Sequence, residues 1–560
     1  MGIAISIEDL SFTYPFNQRP ALHHIQTQIE DGTFVVVMGH SGAGKSTLCY
    51  CLNGLIPQFF RGIYQGCVWV KGKEVALHKV SDWSRLVGLV FQDFEAQLFS
   101  TNVELEMAFG PENHCLTRSE IEKRINRYLS FVGLEGHRHR EPSSLSGGQK
   151  QRLAIGSVLA LEPEILVMDE PTTDLDPQGR DEILSIANRL REEGRTLLMV
   201  DHDPETAIDA DLVILLREGK VVAQGSPENV LRDQSLLQSS GVKLLPMLEF
   251  FHSMGWPGNP LKVNDSMEII KRLGLAQRKE SEWTKQPLPE VKGKPILWTE
   301  GLHYTYPIYG LEALRGIDLS IYEGEFVALL GQNGSGKTTL AKQFNGLLKP
   351  TSGQVWVQGK PTKEYTQREM AQWVGYVFQN PDHQIFARTV KEEVGFGLKV
   401  LGEHPKAIEK RVAEVLEIVG LEGYETKVPF TLTKGERQRV AVASVLAAQP
   451  QIIILDEPTT GLDIHHQKAI MEVLKQLNQK GHTIIIITHS MWVATEYARR
   501  TIVMKEGRIL SDGPTRLVFA DEEGLSRASI QAPSLVKLSN WLGTKALTIE
   551  EMVKELKGLG

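Results

Sequence analysis

Two nine-residue stretches carry the densest chemistry in the chain. Gly39-His40-Ser41-Gly42-Ala43-Gly44-Lys45-Ser46-Thr47 reappears as Gly331-Gln332-Asn333-Gly334-Ser335-Gly336-Lys337-Thr338-Thr339. Residues 39–46 and 331–338 both fit the pattern G-x-x-x-x-G-K-[ST]. Glycines at that spacing let backbone N–H groups close around phosphate oxygens, at the positive end of a following helix. Lys45 and Lys337 would reach the outer phosphates, and Ser46 and Thr338 would ligate Mg²⁺. Each stretch follows a short apolar run such as Val35-Val36-Val37-Met38, which a plain glycine turn does not require.

Further along, each copy has an apolar run ending in two carboxylates, Asp169-Glu170 and Asp456-Glu457. Adjacent strand residues face opposite ways, so the pair can divide two tasks. The aspartates suit Mg²⁺, and the glutamates suit polarising an attacking water. His202 and His489 follow the next apolar run and are expected to sense the γ-phosphate. His137, His139, His465 and His466 are expected to be solvated.

The elements that position these groups are themselves repeated. Lys45 to Lys337 and Tyr14 to Tyr306 are each 292 residues apart; Gln92 to Gln379, Glu170 to Glu457 and His202 to His489 are each 287 apart. The first copy therefore carries five extra residues, between Asn53-Gly54-Leu55 and Val68-Trp69-Val70, near Pro57-Gln58-Phe59-Phe60-Arg61-Gly62. Apolar runs at 35–38, 165–168 and 197–200 read as buried parallel strands. Ile121, Ile125, Tyr128, Leu129 and Val132 follow helical spacing, as do Ile408, Val412, Val415, Leu416 and Val419, so both sets are expected to face a core. The expected fold is α/β. The expected domains are a first nucleotide-binding domain at 1–240, a small helical extension at 241–277, a linker at 278–295, a second nucleotide-binding domain at 296–520 and a shorter extension at 521–560.

Bulk properties bound the rest. At 560 residues the chain has room for several domains, and a net charge of -8 argues against a generally basic nucleic-acid surface. No apolar run approaches the roughly 18 residues of a membrane helix. Cys49 and Cys51 lack metal-ligand spacing and read as small buried side chains.

These residues resemble the ATP-binding cassette family over nearly the whole chain. The diagnostic element is Leu145-Ser146-Gly147-Gly148-Gln149, followed by Lys150-Gln151-Arg152. The resemblance implies two P-loop domains. Each has a mainly parallel sheet, an N-terminal antiparallel β region and an inserted helical subdomain. It also implies ATP and Mg²⁺ as ligands and adenine stacking by Tyr14 and Tyr306. Gln92 and Gln379 become metal- and partner-sensing glutamines, and Asp176 and Asp463 D-loop aspartates. Phosphate binding extends over Gly39, Ser41, Gly42, Gly44, Thr47, Gly331, Asn333, Gly334, Gly336 and Thr339. The signature contacts are Ser146, Gly147, Gly148 and Gln149. In such proteins two cassettes pair head to tail, so one chain with two copies can form both sites. The second signature departs from the pattern: Leu432-Thr433-Lys434-Gly435-Glu436 keeps a hydroxyl at Thr433 and a glycine at Gly435, but adds bulk and a positive charge at Lys434 and a carboxylate at Glu436. The two ATP sites are therefore expected to be unequal, with the Lys337–Glu457 site the faster.

A narrower resemblance follows each glutamine. Asp93-Phe94-Glu95-Ala96-Gln97-Leu98-Phe99 and Asn380-Pro381-Asp382-His383-Gln384-Ile385-Phe386 precede Val-x-x-Glu and Phe-Gly runs at 103–110 and 390–397. This is similar to the ATPases of energy-coupling factor importers of vitamins and metal ions. The insertion adds a similarity to hydroxymethylpyrimidine/thiamine import ATP-binding proteins. The resemblance implies a peripheral place on the cytoplasmic membrane face, with an integral-membrane scaffold subunit and a substrate-binding subunit as partners. Glu95, Asp382, Glu106 and Glu393 are the candidate partner contacts. A ribosome-acting tandem ATPase and an exporter motor are the alternatives.

Overall fold

The structure is a computed structural model that describes residues 2–173, 175–274, 294–307, 310–460, 462 and 464–557, with Lys434 described by its backbone alone. The chain divides into two units, Met1–Glu249 and Phe250–Gly560. The expected linker, 278–295, lies outside the described residues except at its last two positions.

In the first unit, β1 (Ile3–Thr13) pairs antiparallel with β2 (Leu22–Glu30) and β4 (Ile63–Val70), and β5 (Lys73–Glu74) adds to β4. A second sheet has the order β10-β9-β3-β8-β7-β6, from β3 (Phe34–Met38), β6 (Val87–Val90), β7 (Ile165–Asp169), β8 (Thr196–Val200), β9 (Leu212–Arg217) and β10 (Lys220–Gly225). All of its pairings are parallel except β9 with β10. The strands β3, β7 and β8 are buried at every residue, which is why they read as unbroken apolar runs rather than alternating ones.

The second unit repeats this plan. Its antiparallel sheet contains β11 (Pro295–Tyr306), β12 (Leu311–Tyr322), β14 (Ser352–Val357) and β15 (Lys360–Pro361). Its six-stranded sheet runs β16-β17-β18-β13-β19-β20, from β13 (Phe326–Gly331), β16 (Val374–Val377), β17 (Ile452–Asp456), β18 (Thr483–Ile487), β19 (Arg500–Lys505) and β20 (Arg508–Pro514). In both units the strand that precedes the phosphate loop is central, so the loop emerges at the carboxyl edge of the sheet, where ligands of such sheets bind.

The helical stripes are core-facing as the spacing predicts. In the helix Arg118–Phe131, Ile125, Tyr128 and Leu129 are buried, as are Val412, Val415 and Leu416 in Pro405–Ile418. Cys49 and Cys51 are buried too. The insertion packs inward through Phe60, which stacks on Tyr50 at 5.3 Å. Within the second unit the helix Val263–Arg272 lies against Ser534–Leu542, with the Lys271 ammonium 5.6 Å from the Trp541 ring centre.

Candidate functional site

Each phosphate loop turns into a helix, Lys45–Leu52 or Lys337–Phe344, through a glycine at φ 101°. A Cβ on Gly44 would stand 2.4 Å from the Ala21 carbonyl oxygen, and one on Gly336 would stand 2.7 Å from that of Ala313. Only glycine fits both the left-handed backbone and the space. The lysines fold back over their own loops: Lys45 Nζ donates to the carbonyls of Gly39 and His40 at 3.1 and 2.9 Å, and Lys337 Nζ to those of Gly331 and Gln332 at 2.7 Å each. Ser41, Gly42, Asn333 and Gly334 stand exposed at the loop tips. Tyr14 and Tyr306 sit beside the loops, hydroxyls 3.2 and 3.0 Å from Thr47 and Thr339 Oγ1.

The carboxylate pairs stand at the ends of β7 and β17, facing the loops. Glu170 and Glu457 both have left-handed backbone, φ 51° and 50°. Such conformations in a non-glycine residue are costly and gather at functional positions. The His202 Nε2 lies 2.6 Å from Glu170 Oε1, and the His489 Nδ1 2.8 Å from Glu457 Oε1. Burial pushes the Glu170 carboxyl up, but the His202 contact and the Lys45 charge outweigh it and hold the group below the usual range. Gln92 Nε2 donates to Glu170 Oε2 at 2.7 Å. Gln379 is exposed and makes no hydrogen bond among the described residues.

Asp169 is fully buried, and neither of its oxygens meets a donor in hydrogen-bond geometry among the described residues. Burial pushes its carboxyl up to about 6, against the nearby Ser46 hydroxyl and Lys45. No group of three or more His, Cys, Asp or Glu side chains able to hold a metal occurs among the described residues. A hard cation shared with nucleotide phosphates needs fewer protein ligands. An orphaned buried carboxylate beside a hydroxyl fits Mg²⁺ in that role.

The two signatures cap helices. Ser146 caps Gly147–Leu159, its Oγ accepting from Gln149 N at 3.3 Å while Gln149 Oε1 accepts from Ser146 N at 3.0 Å. Gln149 Nε2 lies 3.2 Å from His137 Nε2. His137 is thus half-buried against the signature rather than solvated, a correction to the sequence expectation. Thr433 caps Lys434–Ala448, with Gly435 in the first turn. Here Glu436 accepts from Thr433 N at 2.8 Å, Thr433 Oγ1 at 2.9 Å and Tyr424 O–H at 2.8 Å. Tyr424 and Glu436 occupy the positions of His137 and Gln149, so the partners change together. Asp176 caps the helix Pro177–Glu192, accepting from Gly179 N at 2.8 Å. Asp463 lies outside the described residues.

A second correction concerns the acids expected to meet a partner. Glu106 and Glu393 are buried, and each accepts two backbone N–H groups: those of Phe99 and Ser100, and those of Phe386 and Ala387. They fasten a loop. Glu95 and Asp382 are exposed but already paired, with Lys150 at 2.7 Å and Arg437 at 2.6 Å.

A profile of the ABC transporter family matches residues 22–173 and 314–460, spanning both loops and both carboxylate pairs. The chain belongs to that family. An ABC transporter ATP-binding protein of Caldanaerobacter subterraneus subsp. tengcongensis is 51% identical over 558 residues, 98% of either chain. One of Methanosarcina acetivorans is 40% identical over 551 residues, 96% of this chain and 90% of its own. A solved structure, cbiO1 from Clostridium perfringens, described as part of the ABC transporter complex cbiONQ, is 38% identical with a TM-score of 0.37, covering 43% of this chain and 98% of its own. This ABC ATPase binds and hydrolyses ATP through two cassettes of the same α/β fold. Among its described residues no helix is long and apolar enough to cross a membrane.

Proposed function

We propose that this ABC transporter ATP-binding protein powers an importer of the energy-coupling factor type. It would drive uptake of a vitamin, a vitamin precursor or a metal ion through a separate membrane scaffold and a substrate-binding subunit. It would work as a peripheral protein on the cytoplasmic face. The observation that carries the reading is a repeated exposed aromatic pair. Phe99 and Phe109 meet edge to face at 4.6 Å and are 62% and 46% exposed; Phe386 and Phe396 do so at 4.8 Å, 60% and 46% exposed. Both pairs lie in the segments that resemble energy-coupling factor ATPases. Paired aromatics left in water at matching places suit the apolar side of a partner's short helix.

On this reading the chain's residues divide the work as follows. Lys45 and Lys337, with the loop N–H groups, hold the phosphates. Ser46 with Asp169, and Thr338 with Asp456, would hold Mg²⁺, which when bound would supply charge neutralisation at the phosphates. Gln92 and Gln379 stand beside them as sensors. Glu170 and Glu457 orient the attacking water, and His202 and His489 fix those glutamates and face the γ-phosphate. The helix ends at Ser146 and Thr433 complete the sites across a head-to-tail pair, and ATP closes that pair because it binds the closed form more tightly.

The test is co-purification from membranes. Small polytopic subunits should accompany the protein and be lost from a Phe99→Ser/Phe386→Ser variant that keeps its ATPase. Ribosomes in their place would favour a translation-factor reading. Intact capture by the variant would refute the docking role of the aromatic pairs.

A further inference from the structure

The two carboxylate pairs differ in the hydroxyls that reach the aspartate. In the second cassette the Tyr376 hydroxyl donates to Oδ2 of Asp456 at 3.0 Å, and the Thr338 hydroxyl donates to the same oxygen at 2.7 Å. Oδ1 accepts no hydrogen bond among the described residues. Tyr376 comes from β16, which pairs in parallel with β17, so the tyrosine lies one strand away from Asp456. Its ring is buried and held edge to face by Phe378 at 4.9 Å.

In the first cassette the matching residue on β6 is Leu89, which pairs with Val167 just as Tyr376 pairs with Ile454. Leu89 has no donor to offer. Asp169 is left with both oxygens unbonded, while the surrounding lysine, hydroxyl and glutamate are of matching type.

We infer that Tyr376 is a positioning residue for the divalent cation at the second phosphate loop. Two donors on Oδ2 stop the carboxylate from rotating and leave Oδ1 as the oxygen available to a cation or its water. A phenol does this without adding charge, so the attraction of Asp456 for a cation is kept. Groups that hold a ligating carboxylate commonly set metal affinity. The second site therefore holds its cation more tightly than the first. This rests on the reading of Asp456 as the cation's partner.

The experiment uses the full chain with Lys45→Ala, so that the second phosphate loop takes the nucleotide. Mn²⁺ is titrated in the presence of a non-hydrolysable ATP analogue and followed by electron paramagnetic resonance. Analogue binding is measured separately in EDTA. Tyr376→Phe should weaken Mn²⁺ binding about 10-fold and leave binding in EDTA unchanged. Asp456→Asn should weaken Mn²⁺ at least as much. Unchanged Mn²⁺ affinity in Tyr376→Phe, with Asp456→Asn weakened, overturns the inference alone. Unchanged affinity in both removes the cation role of Asp456 as well. An equal loss in EDTA marks a packing role and also overturns the inference.

Discussion

On the proposed head-to-tail pairing, replacing Glu436 with glutamine should speed the ATP site that the second signature would complete. In the native chain the Thr433 hydroxyl is committed to Glu436 at 2.9 Å. Burial opposes ionisation of Glu436, but the Thr433 and Tyr424 donors outweigh it and hold the carboxyl below the usual range, so the acceptor is charged at neutral pH. A hydrogen bond to a charged group contributes roughly 1.5–3 kcal/mol net. The hydroxyl must give that up before it can serve a phosphate, a handicap of about 10- to 100-fold in rate. Ser146 has no such handicap, because its hydroxyl oxygen accepts from Gln149 N and its hydrogen meets no acceptor among the described residues. Glutamine at 436 would reproduce that arrangement. The assay is single-turnover hydrolysis in a Glu457→Gln background, which silences the other site. The expected gain is about 10-fold, the lower end of that range, and Tyr424→His added to Glu436→Gln should keep it. A rate that is unchanged or lower, with an unaltered melting temperature, would refute the argument from hydroxyl commitment.

Other expectations follow from the same contacts. Glu457→Gln should remove more steady-state ATPase than Glu170→Gln, since on the proposed pairing the intact signature and the Tyr376 contact would both serve the second phosphate loop; equal losses would count against unequal sites. Asp169 ionises near pH 4 when unfolded and at about 6 when folded, so its burial costs nothing below about pH 4 and costs the full amount above about pH 6. Asp169→Asn should therefore stabilise the nucleotide-free protein at pH 8, by about 3 kcal/mol at most, and leave it unchanged at pH 4 in denaturant titrations made in EDTA. Glu106→Ala strands two backbone donors and should destabilise the first cassette by about 2–3 kcal/mol, read by thermal unfolding; an unchanged midpoint would show the loop holds without it.

Much of the fold could be read before the structure, because its signals are local. Strands buried on both faces must be continuous apolar runs, and the phosphate loop is a short contiguous motif whose last glycine, Gly44 or Gly336, has both a left-handed backbone and no room for a Cβ. What was hidden lies between segments. Tyr376 and Asp456 are 80 residues apart and meet only because β16 pairs with β17. The left-handed backbone of Glu170 and Glu457 leaves no trace in residue type. Glu106 and Glu393 look like surface acids by composition, and only their bonds to backbone N–H groups explain how they can be buried. The exchange of His137–Gln149 for Tyr424–Glu436 follows the 287-residue register, but only the geometry pairs these residues: a carboxylate beside a phenol donor replaces an amide beside an imidazole.

The ion pairs Glu95–Lys150 and Asp382–Arg437 each join the segment after the sensing glutamine to the helix that begins at the signature. On the proposed docking reading they would act as latches between two surfaces, one for the partner and the other for a nucleotide. A basic group on an arriving subunit would compete with Lys150 or Arg437 for the same carboxylate. Seating the partner would then unfasten the signature helix, and a signature helix engaged on phosphate would leave its latch residue differently placed for the partner. Because these pairs are local to each cassette, the two halves could answer one membrane partner in turn rather than in unison.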